Sequence, residues 1–306
     1  MNTTLAVDGP LDVRATLARY HLWGEDPANR LVGDAFLRVA RFGERLVPYA
    51  VEWNGGVEDV RLRLRIPGVR STPVAEAVLG EVRRIFGLDF DLPGFYRFAK
   101  GDPALAGLVE PLYGLRPSLA ASGLEMLVGA ITAQQVNLAF AVSLRASVVR
   151  RYGRPLALGD QTVYAFPDAA TLGRARLRDL RALKFSTRKA EYIRDVARAV
   201  AAGTLDLTGL AARPNADVVD TLIARRGLGR WTAEWFLARC LGRGDVCPAG
   251  DLAVRKAFGH YYGRGRGLGD AAIRRRARRW GAQQNLAVHY LLAGMRIGRV
   301  ATARET

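Results

Sequence analysis

The stretch Arg225-Arg226-Gly227-Leu228-Gly229-Arg230 joins two short helical patterns, "NADVVDTLIA" before it and "WTAEWFLARC" after it. Glycine accepts positive φ without a Cβ penalty, so Gly227 and Gly229 permit a very tight reversal and a close approach of backbone N–H groups to a large ligand. A helix that starts directly behind Gly229 adds its unpaired N–H groups and the positive end of its dipole. Such a turn is a ready anion site, and a phosphate fits it. Arg225, Arg226 and Arg230 bring charge to the same spot. The bland alternative is an ordinary helix–helix connection that contains glycines. Further on, "VCPAGDLAVRKAF" places Asp251 22 residues after Gly229, in a Gly/Pro loop where it would make a good N-cap for the next helix.

The whole chain shares the charge of that turn. It has 306 residues with 46 Lys plus Arg against 29 Asp plus Glu, a formal net charge of +17, and only Lys100, Lys184, Lys189 and Lys256 are lysines. An excess of this size favours a polyanion or an anionic surface as partner, with an evenly solvated basic surface as the alternative. At 49% hydrophobic residues the chain can bury a core, and its length allows two domains. Cys240 and Cys247 are the only cysteines, too few for a four-cysteine zinc or iron–sulfur site and unlike a secreted disulfide framework. The opening "MNTTLAVDGPLDVR" has no basic region followed by an apolar core, and no apolar run reaches the ~18 residues of a membrane span, so a soluble, cytoplasmic protein is expected.

The elements that must position the turn fall into two regions. Residues 1–112 read as an antiparallel sheet domain with a few helices. "RLRLRI" (Arg61 to Ile66) alternates with period two, "AFLRVARFG" and "RLVPYAVEW" are short strand patterns, "WNGG" is a turn, and a helix is predicted from Pro73 to Phe86. Residues 113–306 read as helical. Ser122 and Glu125 form the S-x-x-E pattern of a capping box, and Gln134 and Gln135 stand where one helix ends and the next begins. Ser186 or Thr187 caps a helix that runs to Gly203, 262–269 is a Gly/Arg connector, and the final helices span about 271–297. The fold class predicted is α+β.

The string Gly227-x-Gly229-x-x-Thr232-Ala233 between two amphipathic helices resembles the helix-hairpin-helix motif, which grips a DNA backbone through main-chain amides without reading sequence. Together with Asp251 downstream, the chain resembles the 3-methyladenine DNA glycosylase II branch of the helix-hairpin-helix DNA glycosylases over nearly its whole length. The resemblance implies an N-terminal sheet domain like that of the TATA-binding protein. It implies two helical lobes with the active-site cleft between them. It also implies hydrolysis of the N-glycosidic bond of alkylated bases flipped out of duplex DNA. Asp251 would support catalysis, stabilising the oxocarbenium-like sugar and orienting water. Gly227, Leu228, Gly229, Arg230 and Thr232 would hold phosphate, partly by backbone groups. Trp231 and Trp235 would line the base pocket, with core packing as the alternative for both. Gln135, with Gln134 before it, would wedge the gap left by the base; the alternative is a polar turn residue. Relatives that also cut the strand carry G-x-G-x-Lys; here Trp231 stands at the lysine position, which implies a monofunctional enzyme. No organic cofactor and no side-chain metal site is implied, although the family admits a monovalent cation on hairpin carbonyls. Damaged duplex DNA is the partner expected, and a monomer associated with the nucleoid.

There are departures from the family pattern. Arg225 and Arg226 replace an apolar residue and a proline, Leu252 follows the aspartate where an aromatic can stand, and Leu292, with His289 and Tyr290 nearby, takes the place of a pocket tryptophan. Two rival readings keep the hairpin and the charge: a glycosylase for uracil or hypoxanthine, and a non-catalytic binder of damaged DNA. All three readings require duplex affinity to fall steeply with salt, by about 0.9 log units per log unit of salt for each phosphate neutralised. A flat dependence between roughly 50 and 200 mM salt in a fluorescence-anisotropy titration would overturn them together.

Overall fold

The computed structural model describes residues 1–302, and side chains as far as Ile297. Five strands, β1 (Asn2–Leu5), β2 (Asn29–Val32), β3 (Ala35–Phe42), β4 (Arg45–Asn54) and β5 (Arg61–Arg65), form one antiparallel sheet in the order β1-β5-β4-β3-β2. The alternation read in "RLRLR" is the physical one: Leu62 and Leu64 are fully buried while the arginines between them face water. A short helix α1 (Val13–Leu17) precedes β2. Helix α2 (Thr72–Ile85) covers one face of the sheet, packing Val74, Val78, Val82 and Ile85 against Phe36, Tyr49, Val51 and Leu64.

Next come α3 (Leu92–Ala99), α4 (Pro103–Val109), α5 (Gly123–Ala133) and α6 (Leu138–Tyr152). A hairpin of β6 (Arg154–Leu158) and β7 (Gln161–Ala165) interrupts the helical region. The sequence reading had no strands here. Their signal was a short alternation on either side of Gly159-Asp160, with Gly159 at φ +63°. Leu158, Val163 and Ala165 of this hairpin cover the second face of the large sheet, against Leu37, Val39 and Ala50. The helical region thus supplies part of the N-terminal core. The chain continues through α7 (Ala169–Gly173), α8 (Leu177–Ala182), α9 (Thr187–Ala201), α10 (Asn215–Ile223), α11 (Arg230–Arg239), α12 (Leu252–Tyr262), α13 (Asp270–Arg278) and α14 (Gln284–Thr302).

The helices surround two cores. One gathers α5 to α11; the other gathers α3, α4, α12, α13 and α14. Helices α3 and α4 lie before residue 112, yet they pack with the last helices of the chain. By packing, therefore, the boundary expected at 112 moves to about residue 90, and the C-terminal lobe is built from both ends of the sequence. Trp235 on α11 packs against both cores and marks the seam between them.

Buried charge ties the sheet to the helices. Arg38 on β3 is 3% exposed and donates to Glu81 of α2 at 2.8 Å, to Asn29 at 2.6 Å and to Glu125 of α5. Burial works against its charge, but Glu125 and Glu81 overcome that and hold its pKa well above the usual value. Arg145 of α6 bonds the other oxygen of Glu125 at 3.1 Å and Asp26 at 3.0 Å. This corrects the capping-box reading. Ser122 does cap α5 by accepting from the Glu125 N–H at 3.2 Å, but the Glu125 side chain turns inward to two arginines rather than back to the helix start. Removing one partner of a buried ion pair leaves the other charge uncompensated, which costs about 3–5 kcal/mol. Glu125→Ala is expected to lower unfolding stability by that order in urea titration; a loss under about 1 kcal/mol would show the network to be dispensable.

Candidate active site

Between α10 and α11 the chain reverses in six residues. Gly227 takes φ +89°, and a Cβ there would lie 2.3 Å from Cγ of the Tyr192 ring on α9, so it is glycine by conformation and by space. Gly229 is different: its backbone is extended at φ −98°, ψ 177°, and a Cβ would meet nothing within 4 Å. The positive φ expected at both glycines therefore exists at Gly227 alone. At Gly229 the absent side chain leaves open space at the start of α11. No side chain caps that start, so the first-turn N–H groups point outward unpaired. Leu228 and Thr232, 4% and 1% exposed, anchor the turn from beneath. The arginines are less free than their spacing implied. Arg226 pairs with Glu191 at 2.9 Å and lies over Tyr192, Arg225 donates to the Thr204 carbonyl, and Arg230 leans on Glu234 at 3.4 Å. Arg226 and Arg230 still keep more than 60% of their side-chain surface in water.

Asp251 is the N-cap of α12. Its Oδ1 accepts from the N–H groups of Ala253 at 2.7 Å and Val254 at 3.1 Å. Its Oδ2 accepts from the indole Nε1 of Trp231 at 2.5 Å and of Trp235 at 3.1 Å. One carboxylate thus joins the helix behind the turn to the helix ahead of it, with both tryptophans one turn apart on one face of α11. Both indoles are half-buried, with their polar edges on Asp251. Leu252, next in sequence, is 65% exposed beside this group.

The glutamines divide. Gln135 sits exposed at the tip between α5 and α6 with φ +54°, a left-handed backbone that non-glycine residues rarely adopt and that recurs at functional sites. Gln134 does not point the same way: its Nε2 donates to the Gly227 carbonyl at 2.9 Å. Lys189 of α9 donates to the Thr132 carbonyl at 3.0 Å. The first turns of α9 therefore brace this loop through Lys189 and the glycine turn through Tyr192.

A family description, HhH-GPD superfamily base excision DNA repair protein, matches residues 128–283. The chain belongs to that superfamily. It is 34% identical over 179 residues to DNA-3-methyladenine glycosylase of Bacillus subtilis, covering 58% of this chain and 59% of that protein. It is 31% identical over 220 residues to DNA-3-methyladenine glycosylase 2 of Escherichia coli, covering 72% of each. Among solved structures, the 3-methyladenine DNA glycosylase from Archaeoglobus fulgidus superposes with a TM-score of 0.84 at 25% identity, over 95% of this chain and 97% of that one. The chain spans less than two thirds of the Bacillus subtilis relative's length.

In this HhH-GPD chain the sequence reading missed the far end of α11. Arg239, two turns after Trp231, lies 5.5 Å over the Trp235 ring and its Nη2 is 2.6 Å from Nδ1 of His289 on α14. Burial, then the charges of Arg239 and Arg296, push His289 well below the usual histidine range, so its imidazole is neutral and accepts from Arg239. His289 thus lies against the α11 face that carries the tryptophans, whereas Tyr290 is fully buried and donates to the Leu115 carbonyl. The thiols take no part: burial raises Cys240 to about 11 and Cys247 to about 12. Among the described residues no group of three or more His, Cys, Asp or Glu could hold a metal ion, and no helix is long and apolar enough to cross a membrane. Gly227→Ala drives a methyl into Tyr192 at a positive φ. It is expected to destabilise the HhH-GPD fold by about 1–3 kcal/mol in thermal unfolding and to weaken duplex binding. Unchanged binding would show that the turn does not hold DNA.

Proposed function

We propose that the protein is a monofunctional DNA glycosylase that removes alkylated bases from duplex DNA. The observation that carries this reading is the Asp251 carboxylate, clamped between two indoles and a helix start, beside a turn whose free N–H groups suit a phosphate. The printed names of the relatives support the substrate class. Gly227, Gly229, Arg230 and Thr232, with Leu228 anchoring them, would hold the backbone of the damaged strand, and Gln135 would fill the gap left by the extruded base. The net charge of +17 supports DNA as the partner.

The geometry also bears on what Asp251 does. Four donors already reach its two oxygens, close to the full lone-pair capacity of a carboxylate. Little remains to take a proton from water. Its contribution is then mainly the field it exerts on the sugar as positive charge develops at C1′, together with orientation of the attacking water. Trp231 fills the position where a Schiff-base lysine would stand, and Lys189 is committed to the Thr132 carbonyl. Hydrolysis that leaves an abasic site follows, without strand cleavage.

Base release from alkylated duplex DNA, wild type beside Asp251→Asn, tests this, with strands examined before and after alkali. The expected result is release by the wild type, a drop of about 100-fold or more in the variant, and strand breaks only after alkali. Breaks before alkali would remove the monofunctional assignment. Tight, salt-sensitive binding with no base released would favour a non-catalytic damage binder.

A further inference from the structure

Trp231, Trp235 and Arg239 stand at successive turns on one face of α11, so Arg239 lies about 6 Å further along the axis than the tryptophan that holds Asp251. Its surroundings are cationic. Arg19, from the segment before β2, and Arg296, one turn after Leu292 on α14, both act on it electrostatically. Among the described residues no carboxylate lies within 4 Å of Arg19, Arg239 or Arg296. The buried Arg38 and Arg145, by contrast, each meet two carboxylates. Burial, then Arg19 and Arg296, lower Arg239 to about 9, which leaves it charged at neutral pH. A guanidinium has five N–H donors, and the side-chain acceptor Arg239 meets is one neutral imidazole nitrogen. The cation also occupies one face of Trp235, the face on which a cationic base could otherwise stack.

An extruded purine with its sugar at Asp251 would carry its far edge about one helical turn away, at the level of Arg239. We infer that Arg239 is a specificity-determining residue: its guanidinium donates to an acceptor on the far edge of a neutral extruded base and opposes a base that is positively charged as its nucleoside. Arg19 and Arg296 strengthen both effects. The class favoured is the neutral lesion with an acceptor edge, such as the 6-oxo purine of deaminated adenine or an etheno-bridged adenine. The class disfavoured is the cationic N-methylpurine. This inference rests on the proposed glycosylase reading.

The test uses the full chain and duplexes that each hold one hypoxanthine, ethenoadenine or 7-methylguanine. Single-turnover release is measured for wild type, Arg239→Met and Arg296→Gln. Methionine keeps an unbranched apolar stem against Trp235 without the charge. Arg239→Met is expected to slow release of the two neutral bases about tenfold or more and to leave 7-methylguanine release unchanged or faster. Arg296→Gln, at an exposed position, is expected to shift the ratio in the same direction by a smaller factor. An equal fall for all three bases, or no change, in Arg239→Met would overturn the inference. Should Arg239→Met fail to fold, an unchanged ratio in both Arg296→Gln and Arg19→Gln would overturn it. If the wild type releases none of the bases, and none from alkylated DNA, the glycosylase reading itself fails. Release with an unaltered ratio sinks only the role of Arg239.

Discussion

A single carboxylate fixes how the two halves of the helical region meet. Asp251 gives one oxygen to the first turn of α12 and the other to two indoles on α11. Helix α11 belongs to one core and α12 to the other, and Trp235 packs against both. The relative placement of the lobes, the position of the carboxylate and the orientation of both tryptophans are therefore one constraint. A hydrogen bond to a charged group is worth roughly 1.5–3 kcal/mol, so two indole donors on one oxygen hold the seam firmly while leaving it polar.

Three buried or half-buried guanidinium environments show how differently this chain treats charge. Arg38 and Arg145 are met by carboxylates and serve cohesion. Arg116, with no exposed surface, donates to the carbonyls of Asp8, Pro10, Gly87, Leu88 and Phe90 and so stitches distant loops together with backbone dipoles alone. Burial lowers its pKa. Arg239 has neither carboxylates nor a ring of carbonyls, only a neutral histidine and an indole face. Uncompensated charge is costly inside a protein, and its persistence next to the candidate catalytic carboxylate sets it apart from the structural arginines.

The parts legible in the sequence were those written in short-range chemistry. Two glycines one residue apart, a helix start behind them and an aspartate before "LAVRKAF" are local signals, and the turn and the α12 cap lie where those signals put them. What escaped was decided over distance. The bonds from Trp231 and Trp235 to Asp251 cross 20 and 16 residues and depend on the angle between two helices. Arg239 gathers its neighbours from residues 19, 289 and 296. Glu125 had a good local partner in the capping box, but two buried arginines outcompeted it. The β6–β7 hairpin was lost among helical patterns because its partner surface lies over a hundred residues upstream.

The chain carries 46 basic residues, of which only four are lysines, and its two thiols are buried and pushed up to about 11 and 12. A guanidinium stays protonated and lacks the free lone pair of an amine, and a thiol without its thiolate is a weak nucleophile. The protein thus holds a large positive charge while offering few groups to an electrophile. In a cell exposed to methylating agents, the chemistry that damages nucleobases would find little to react with on the protein that would remove them.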